Sequence, residues 1–121
     1  MIPVERPGTE AMKREIAEEI ARVHVESYGE PALNLTVAVD DELVAVMMEI
    51  EFSAAERTLI GAGREDAVRA AREAYQEAIG EVFVAIVERA TGRRVTGFAS
   101  RCVVGDEVPW AVEIFRLGPS G

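Results

Sequence analysis

The segment from Leu43 to Phe52 most constrains the fold, because its apolar residues predict a β-strand that is buried on both faces over half of its length. Every second residue from Val44 to Phe52 is apolar, which is the period of one buried strand face. The opposite face is also apolar in its first half, at Leu43, Ala45 and Met47. Such a strand requires a second covering layer or a partner subunit.

This segment is the second strand of a predicted hairpin. Residues 33–39 alternate between apolar and polar, and Asp40-Asp41 supplies the turn between the two strands. A second hairpin is predicted near the end of the sequence, where residues 93–104 and 109–117 form strands joined by Gly105-Asp106-Glu107. We expect one face of the last strand to consist of Trp110, Val112 and Ile114.

Three helices are predicted before and between these hairpins. The first covers residues 10–28, and its apolar face consists of Met12, Ile16, Ile20 and Val23. A short second helix begins at a capping box, Ser53-Ala54-Ala55-Glu56. The third covers residues 64–90, with apolar positions spaced by threes and fours at Val68, Ala71, Tyr75, Ile79, Val82, Phe83, Ile86 and Ala90. Gly80 inside it predicts the close approach of another backbone, since glycine is unfavourable in a helix interior.

The order of these elements predicts an α+β fold. A two-layer sandwich accommodates the order α-β-β-α-α-β-β most simply, with a four-stranded antiparallel sheet made of two hairpins and helices on one face. We expect one domain over residues 1–121, with a loose leader at residues 1–8 and a loose tail at residues 118–121. The two hairpins can meet within one chain or across a dimer.

The charge balance argues against two classes of partner. The chain has 22 acidic and 13 basic side chains, a formal net charge of −9. This disfavours binding to nucleic acid and to anionic lipid, since both need clustered Lys and Arg. No secretory signal and no apolar run of about 20 residues is visible, so we expect a soluble cytoplasmic protein without membrane insertion.

Residue types that commonly carry catalysis or hold metals do not cluster in the sequence. Cys102 is the only cysteine and is interpreted as a small buried core thiol. His24 is the only histidine and is interpreted as a boundary or surface residue, with ligand contact as the alternative. Glu49 and Glu51 are candidate general bases, although a solvated strand face is the commoner role of such a pair. We expect no catalytic or metal site, and the residues identify no cofactor.

Two sets of residues are candidate binding sites. An apolar cavity between sheet and helices is predicted to be lined by Met47, Met48, Phe52, Phe83, Phe98 and Trp110, with His24 or Tyr28 at its mouth. The basic residues Arg89, Arg93 and Arg94 form a cluster at a helix C-terminus. They complement the helix dipole there, or they contact an anion or an acidic partner.

Several phrases of the sequence resemble the MpsC family, bacterial proteins of unassigned activity named for a Na⁺-translocating membrane-potential-generating system. The resemblance covers residues 10–117 and rests on Asp41-Glu42-Leu43-Val44-Ala45-Val46, on Ser53-Ala54-Ala55-Glu56-Arg57-Thr58-Leu59, on Val68-Arg69 with Arg72, and on Ile86-Val87-Glu88-Arg89-Ala90-Thr91-Gly92-Arg93-Arg94-Val95. It implies association with a membrane system that handles ions or bicarbonate, and it carries over no catalytic residue.

These observations support two functional hypotheses. The leading one is a non-enzymatic, cytoplasmic accessory protein that forms a homodimer and acts through protein contacts beside a membrane complex. The alternative is a small-molecule sensor or carrier that uses the predicted apolar cavity.

Overall fold

The computed structural model describes residues 7–119. Residues 1–6 of the predicted leader and residues 120 and 121 of the predicted tail lie outside this range, whereas residues 7 and 8 already belong to the first helix. The elements are α1 (Pro7–Tyr28), β1 (Ala32–Val39), β2 (Leu43–Ile50), α2 (Ala54–Gly61), α3 (Glu65–Ala78), α4 (Gly80–Thr91), β3 (Val95–Val103) and β4 (Trp110–Leu117). The predicted α+β class with two hairpins is confirmed.

The two hairpins meet within one chain and form a four-stranded antiparallel sheet in the order β1-β2-β4-β3. Strand β2 pairs with β4 so that Val44 lies opposite Phe115 and Met48 lies opposite Ala111. The hairpins therefore pair within one chain and not across a dimer, and β2 and β4 are the central strands.

The core lies between one face of this sheet, the inner face, and the helices. Helix α1 packs on β1, and α3 and α4 pack on β3. The sheet supplies Val44, Val46, Met48, Ala111 and Phe115, and the helices supply Ile16, Ile20, Val68, Phe83, Ile86 and Val87. The opposite, outer face of the sheet exposes large apolar side chains on the two central strands, namely Leu43, Met47 and Ile114.

The prediction of one helix over residues 64–90 is wrong, because α3 and α4 are separate helices with Ile79 between them. The close approach at Gly80 is made by a side chain and not, as expected, by a backbone. A Cβ atom at Gly80 would lie 2.9 Å from Cε2 of Phe98, whose ring packs on that of Phe115. Gly80 therefore makes room for an aromatic ring from β3.

The start of α2 confirms the predicted capping box. The Ser53 hydroxyl accepts a hydrogen bond from the Glu56 backbone N–H at 3.2 Å, and the Glu56 carboxylate accepts one from the Ser53 N–H at 2.9 Å. Both interactions satisfy backbone donors that a helix start otherwise leaves unpaired. They also fix the position of Glu56, which has a second role in the core.

Candidate functional site

Among the residues that the structure describes, four polar or charged side chains are almost fully buried between the sheet and the helices: His24, Arg72, Gln76 and Glu113. They come from α1, α3 and β4 and, with Tyr28, Glu56 and Ser100, form what we call the buried polar cluster. Of these seven residues the sequence pointed only to His24 and Tyr28 as site residues. Polar groups are rarely buried without hydrogen-bond partners, so the partners of each side chain indicate which atoms of the cluster remain free to bind another group.

Arg72 is held by a two-point ion pair with Glu56. Its Nε donates to Oε2 at 2.6 Å and its Nη2 donates to Oε1 at 2.8 Å, while Nη2 also donates to the Glu51 carbonyl at 3.3 Å. Burial alone raises the pKa of Glu56, but the hydrogen bonds from Arg72 and Ser53 outweigh it and hold that pKa below its ordinary value. Both partners therefore remain charged at neutral pH.

Aromatic rings enclose the Arg72 guanidinium. Its Cζ lies 4.4 Å from the Tyr28 ring centroid and 5.8 Å from that of Phe52. Cations above an aromatic face are attracted by the ring quadrupole, which adds to the restraint from Glu56. The Tyr28 ring in turn contacts the rings of His24, at 4.7 Å, and Tyr75, at 5.3 Å. Burial raises the pKa of Tyr28 to about 12, so its hydroxyl keeps its proton.

His24 is buried, so the interpretation of a boundary or surface histidine is wrong. Its Nδ1 lies 3.1 Å from the Glu30 carbonyl oxygen. Because a carbonyl only accepts, Nδ1 bears the hydrogen and Nε2 of the neutral ring presents a lone pair. Burial lowers the pKa of His24, and the nearby charge of Arg72 lowers it further. The imidazole is therefore neutral at physiological pH.

Glu113 lies at the sheet side of the cluster and is fully buried. The Gln76 amide nitrogen donates a hydrogen bond to the Glu113 carboxyl group. It also donates to the Ser100 hydroxyl, at a nitrogen–oxygen distance of 2.7 Å. Burial raises the pKa of Glu113 to about 8, and the hydrogen bond from Ser100 opposes this only in part. At neutral pH most of this carboxyl group is therefore protonated.

Two side chains of the cluster each keep one buried polar atom without a hydrogen-bond partner among residues 7–119, namely His24 Nε2 and Arg72 Nη1. The Tyr28 hydroxyl between them hydrogen-bonds the Gln76 side chain. A buried donor or acceptor without a partner destabilises the folded state unless another group satisfies it. The arrangement is therefore suited to holding a small polar molecule or ion.

The structure brings together only some of the residues of the predicted apolar cavity, since Met47, Met48 and Trp110 line one groove. Met48 and Phe83 are buried in the core, and Phe52 and Phe98 are partly buried beside it. Met47 and Trp110 lie instead on the outer face, where they line an open groove of about 310 Å³. Only His24 and Tyr28 lie together in the buried polar cluster.

The three arginines of the predicted basic cluster have different surroundings. Arg89 forms an exposed ion pair with Glu19 at 3.5 Å, which links α4 to α1. Arg93 donates to the Gly118 carbonyl and holds the end of β4, although its Nε is buried without a partner among the described residues. Arg94 is exposed.

Cys102 and the candidate bases Glu49 and Glu51 lie in different parts of the structure. Cys102 is buried, as expected, and burial raises its pKa to about 11, so it is a protonated thiol. Glu49 lies on the outer face and accepts a hydrogen bond from Asn34 at 2.7 Å, while Glu51 is exposed beyond the end of β2. Within residues 7–119 no group of three or more His, Cys, Asp and Glu side chains is arranged to hold a metal ion.

Comparison with known proteins identifies one family. The family model described as the Na⁺-translocating membrane potential-generating system (MpsC) matches residues 9–114, nearly the whole chain. No curated protein and no solved structure matches. None of the helices within residues 7–119 combines the length and apolar character needed to cross a membrane.

Proposed function

The chain belongs to the MpsC family, and on that premise we propose that it is a non-enzymatic, cytoplasmic accessory protein that acts as a homodimer. We further infer that it acts through protein contacts beside a membrane system that transports ions or bicarbonate. The family description, which names a Na⁺-translocating system, supports the membrane association. The uncovered outer face of the sheet is the observation that carries the proposal of an interaction protein.

The outer face is apolar at its centre. Leu43, Met47 and Ile114 on the central strands are 39 %, 48 % and 42 % exposed. Across the sheet, Ala45 lies opposite Ile114 and Met47 lies opposite Val112, so these apolar side chains are contiguous. Removing apolar surface from water on association contributes about 25 cal/mol per Å² of favourable free energy, so covering this patch favours binding. A contiguous apolar patch on central strands is typical of an interaction surface.

The charges at the two ends of this face favour a second copy of the same chain as the partner. Glu49 lies opposite Trp110 at one end of the central strands, and Arg116 lies opposite Leu43 at the other. A two-fold axis parallel to the sheet and across the strands places Glu49 of one copy over Leu43 of the other, beside Arg116 on the neighbouring strand, and does so twice per dimer. Such an interface is self-complementary, as two-fold dimers require.

Light scattering coupled to size-exclusion chromatography tests the homodimer at micromolar concentration. We expect a mass twice that of the 13.2 kDa chain. Met47→Glu introduces a charge at the centre of the outer face and is expected to yield monomer. Val25→Glu, at a residue that is 45 % exposed on α1, is the matched control and should remain dimeric. A monomeric wild type, or equal behaviour of the two variants, contradicts the proposal.

A second candidate function is that of a small-molecule sensor or carrier. The observation that favours it is the pair of unpartnered buried atoms on His24 and Arg72. Native mass spectrometry of the protein as purified tests this function. A bound species that is lost on denaturation supports it, whereas the bare chain mass contradicts it.

A further inference from the structure

We propose that the Trp110 ring of one copy docks into a cleft on the outer face of a second copy and stacks there on Arg116 of the partner subunit, twice per homodimer. The inference rests on the proposed homodimer and names the residues that determine its specificity. Two depressions on the outer face, the hydrogen bond that orients Trp110 and the symmetry of the interface support this contact.

The outer face carries an open cleft at one end of its central strands. The cleft has a volume of about 550 Å³, and its apolar wall includes the exposed side chains of Leu43 and Ile114. Its charged lining is balanced, with two basic and two acidic side chains: Arg93, Arg116, Asp41 and Glu42. An ion without a counter-charge is costly to bury in such a cleft. An aromatic ring adds no charge and can lie against both the apolar wall and a guanidinium group.

Trp110 is presented at the opposite end of the same face. Its Nε1 donates a hydrogen bond to Asp106 Oδ2 at 2.9 Å, which orients the ring. The ring lines a smaller groove of about 310 Å³ together with Met47 and Val108. Because the indole N–H already has a partner, the ring can be covered by a second copy without leaving a donor unpaired. Tryptophan and arginine are also the residue types that most often dominate the binding energy of an interface.

The two-fold axis of the proposed dimer brings these two features together. Within one sheet, Arg116 lies opposite Leu43 and Trp110 lies opposite Glu49. An axis that places Glu49 of one copy over Leu43 of the other reverses β4 in the same way, so it places Trp110 over Arg116 of the partner subunit. Guanidinium groups stack on aromatic faces, and tryptophan is the most favourable ring for this contact. The cleft of each copy is therefore filled by the ring of the other.

The fluorescence of Trp110 tests the contact, since Trp110 is the only tryptophan in the chain. The wild-type protein is diluted through the concentrations at which light scattering shows the dimer dissociating, and the emission spectrum is recorded at each step. We expect the emission maximum to move to longer wavelength in proportion to the fraction of monomer, because dissociation exposes the ring to water. The same emission spectrum in dimer and monomer overturns the inference and leaves the homodimer standing.

Two variants with matched controls measure the contribution of the contact. Trp110→Leu removes the ring but keeps an apolar side chain, and it should raise the dimer dissociation constant at least about thirtyfold. Tyr75→Leu makes a similar change at an exposed aromatic residue of α3 and should leave that constant unchanged. Arg116→Lys keeps the charge but loses the planar group, so it should weaken the dimer about tenfold, whereas Arg14→Lys on α1 should have no effect.

The outcomes separate this contact from the homodimer itself. A dimer that Trp110→Leu and Arg116→Lys weaken no more than their controls do overturns the inference alone. A wild type that is monomeric at every concentration overturns the homodimer and the inference with it. If Trp110→Leu fails to fold, the comparison of Arg116→Lys with Arg14→Lys decides, because both arginines are exposed.

Discussion

Arg72 and Glu56 join α3 to the first turn of α2 through two hydrogen bonds of 2.6 and 2.8 Å. The same Glu56 carboxylate also closes the capping box of α2 through the Ser53 N–H. One side chain therefore stabilises a helix start and neutralises a buried cation. The pair therefore ties α2 to α3.

Glu56→Gln should destabilise the fold by about 3 kcal/mol, because it leaves the buried Arg72 charge without a counter-charge. Chemical denaturation at pH 7 measures the free energy of unfolding. Glu19→Gln removes a carboxylate whose ion pairs with Arg22 and Arg89 are exposed, and it should cost less than about 1 kcal/mol. Equal losses in the two variants would show that the Arg72–Glu56 pair is no more important than a surface pair.

Glu113 predicts a pH dependence of stability with a definite sign. Its folded pKa of about 8 lies above its ordinary value of 4.5, so the folded state binds the extra proton between these two pH values. The unfolding free energy should fall by about 1.4 kcal/mol per pH unit across this window relative to Glu113→Gln, which cannot ionise. Subtracting the denaturation curves of the two proteins cancels the contributions of His24 and Glu56. A flat or rising difference contradicts the predicted burial.

Gly80→Ala should destabilise the protein by about 1–3 kcal/mol, although alanine is the better helix former. The added methyl group meets the Phe98 ring at 2.9 Å, and that ring is held by Phe115. Gly61→Ala is the control, because a Cβ there meets nothing within 4 Å. Thermal unfolding should show a lower Tm for Gly80→Ala and an unchanged Tm for Gly61→Ala. In a chain that carries Phe98→Leu, Gly80→Ala should lower the Tm by a smaller amount than it does in the wild type.

Local patterns in the sequence were sufficient to predict most elements of this fold. The alternation of apolar residues in the segment 33–52 identifies the two faces of each strand. Ser53 and Glu56 predict a helix start because their side chains pair with the backbone N–H groups at that start. The pairing of β2 with β4 is not encoded locally, since any two strands with an apolar face can pair. The contact between Gly80 and the Phe98 ring joins residues that are remote in sequence, so it is not encoded locally either.

The buried polar cluster was missed because polar residues were assigned to the solvent side. Arg72 and Gln76 follow Val68 at intervals of four and share its buried face, whereas Tyr75 and Val82 of the expected apolar stripe are exposed. In β4 the expected face with Trp110, Val112 and Ile114 is the outer one, and Glu113 faces inward. The interval of four between Val68, Arg72 and Gln76 can be read from the sequence. The groups that pair with Arg72 and Gln76 come from other elements and meet them only in the folded structure.

Charge exchange between Glu49 and Arg116 tests self-association through the outer face most directly. Sedimentation equilibrium compares the dimer dissociation constant of the wild type with those of Glu49→Arg, Arg116→Glu and the double variant. We predict that each single change weakens the dimer and that the double variant recovers affinity, because opposite charges again meet across the two-fold axis. A double variant whose dimer is weakened by at least the sum of the two single effects would contradict self-association through this face.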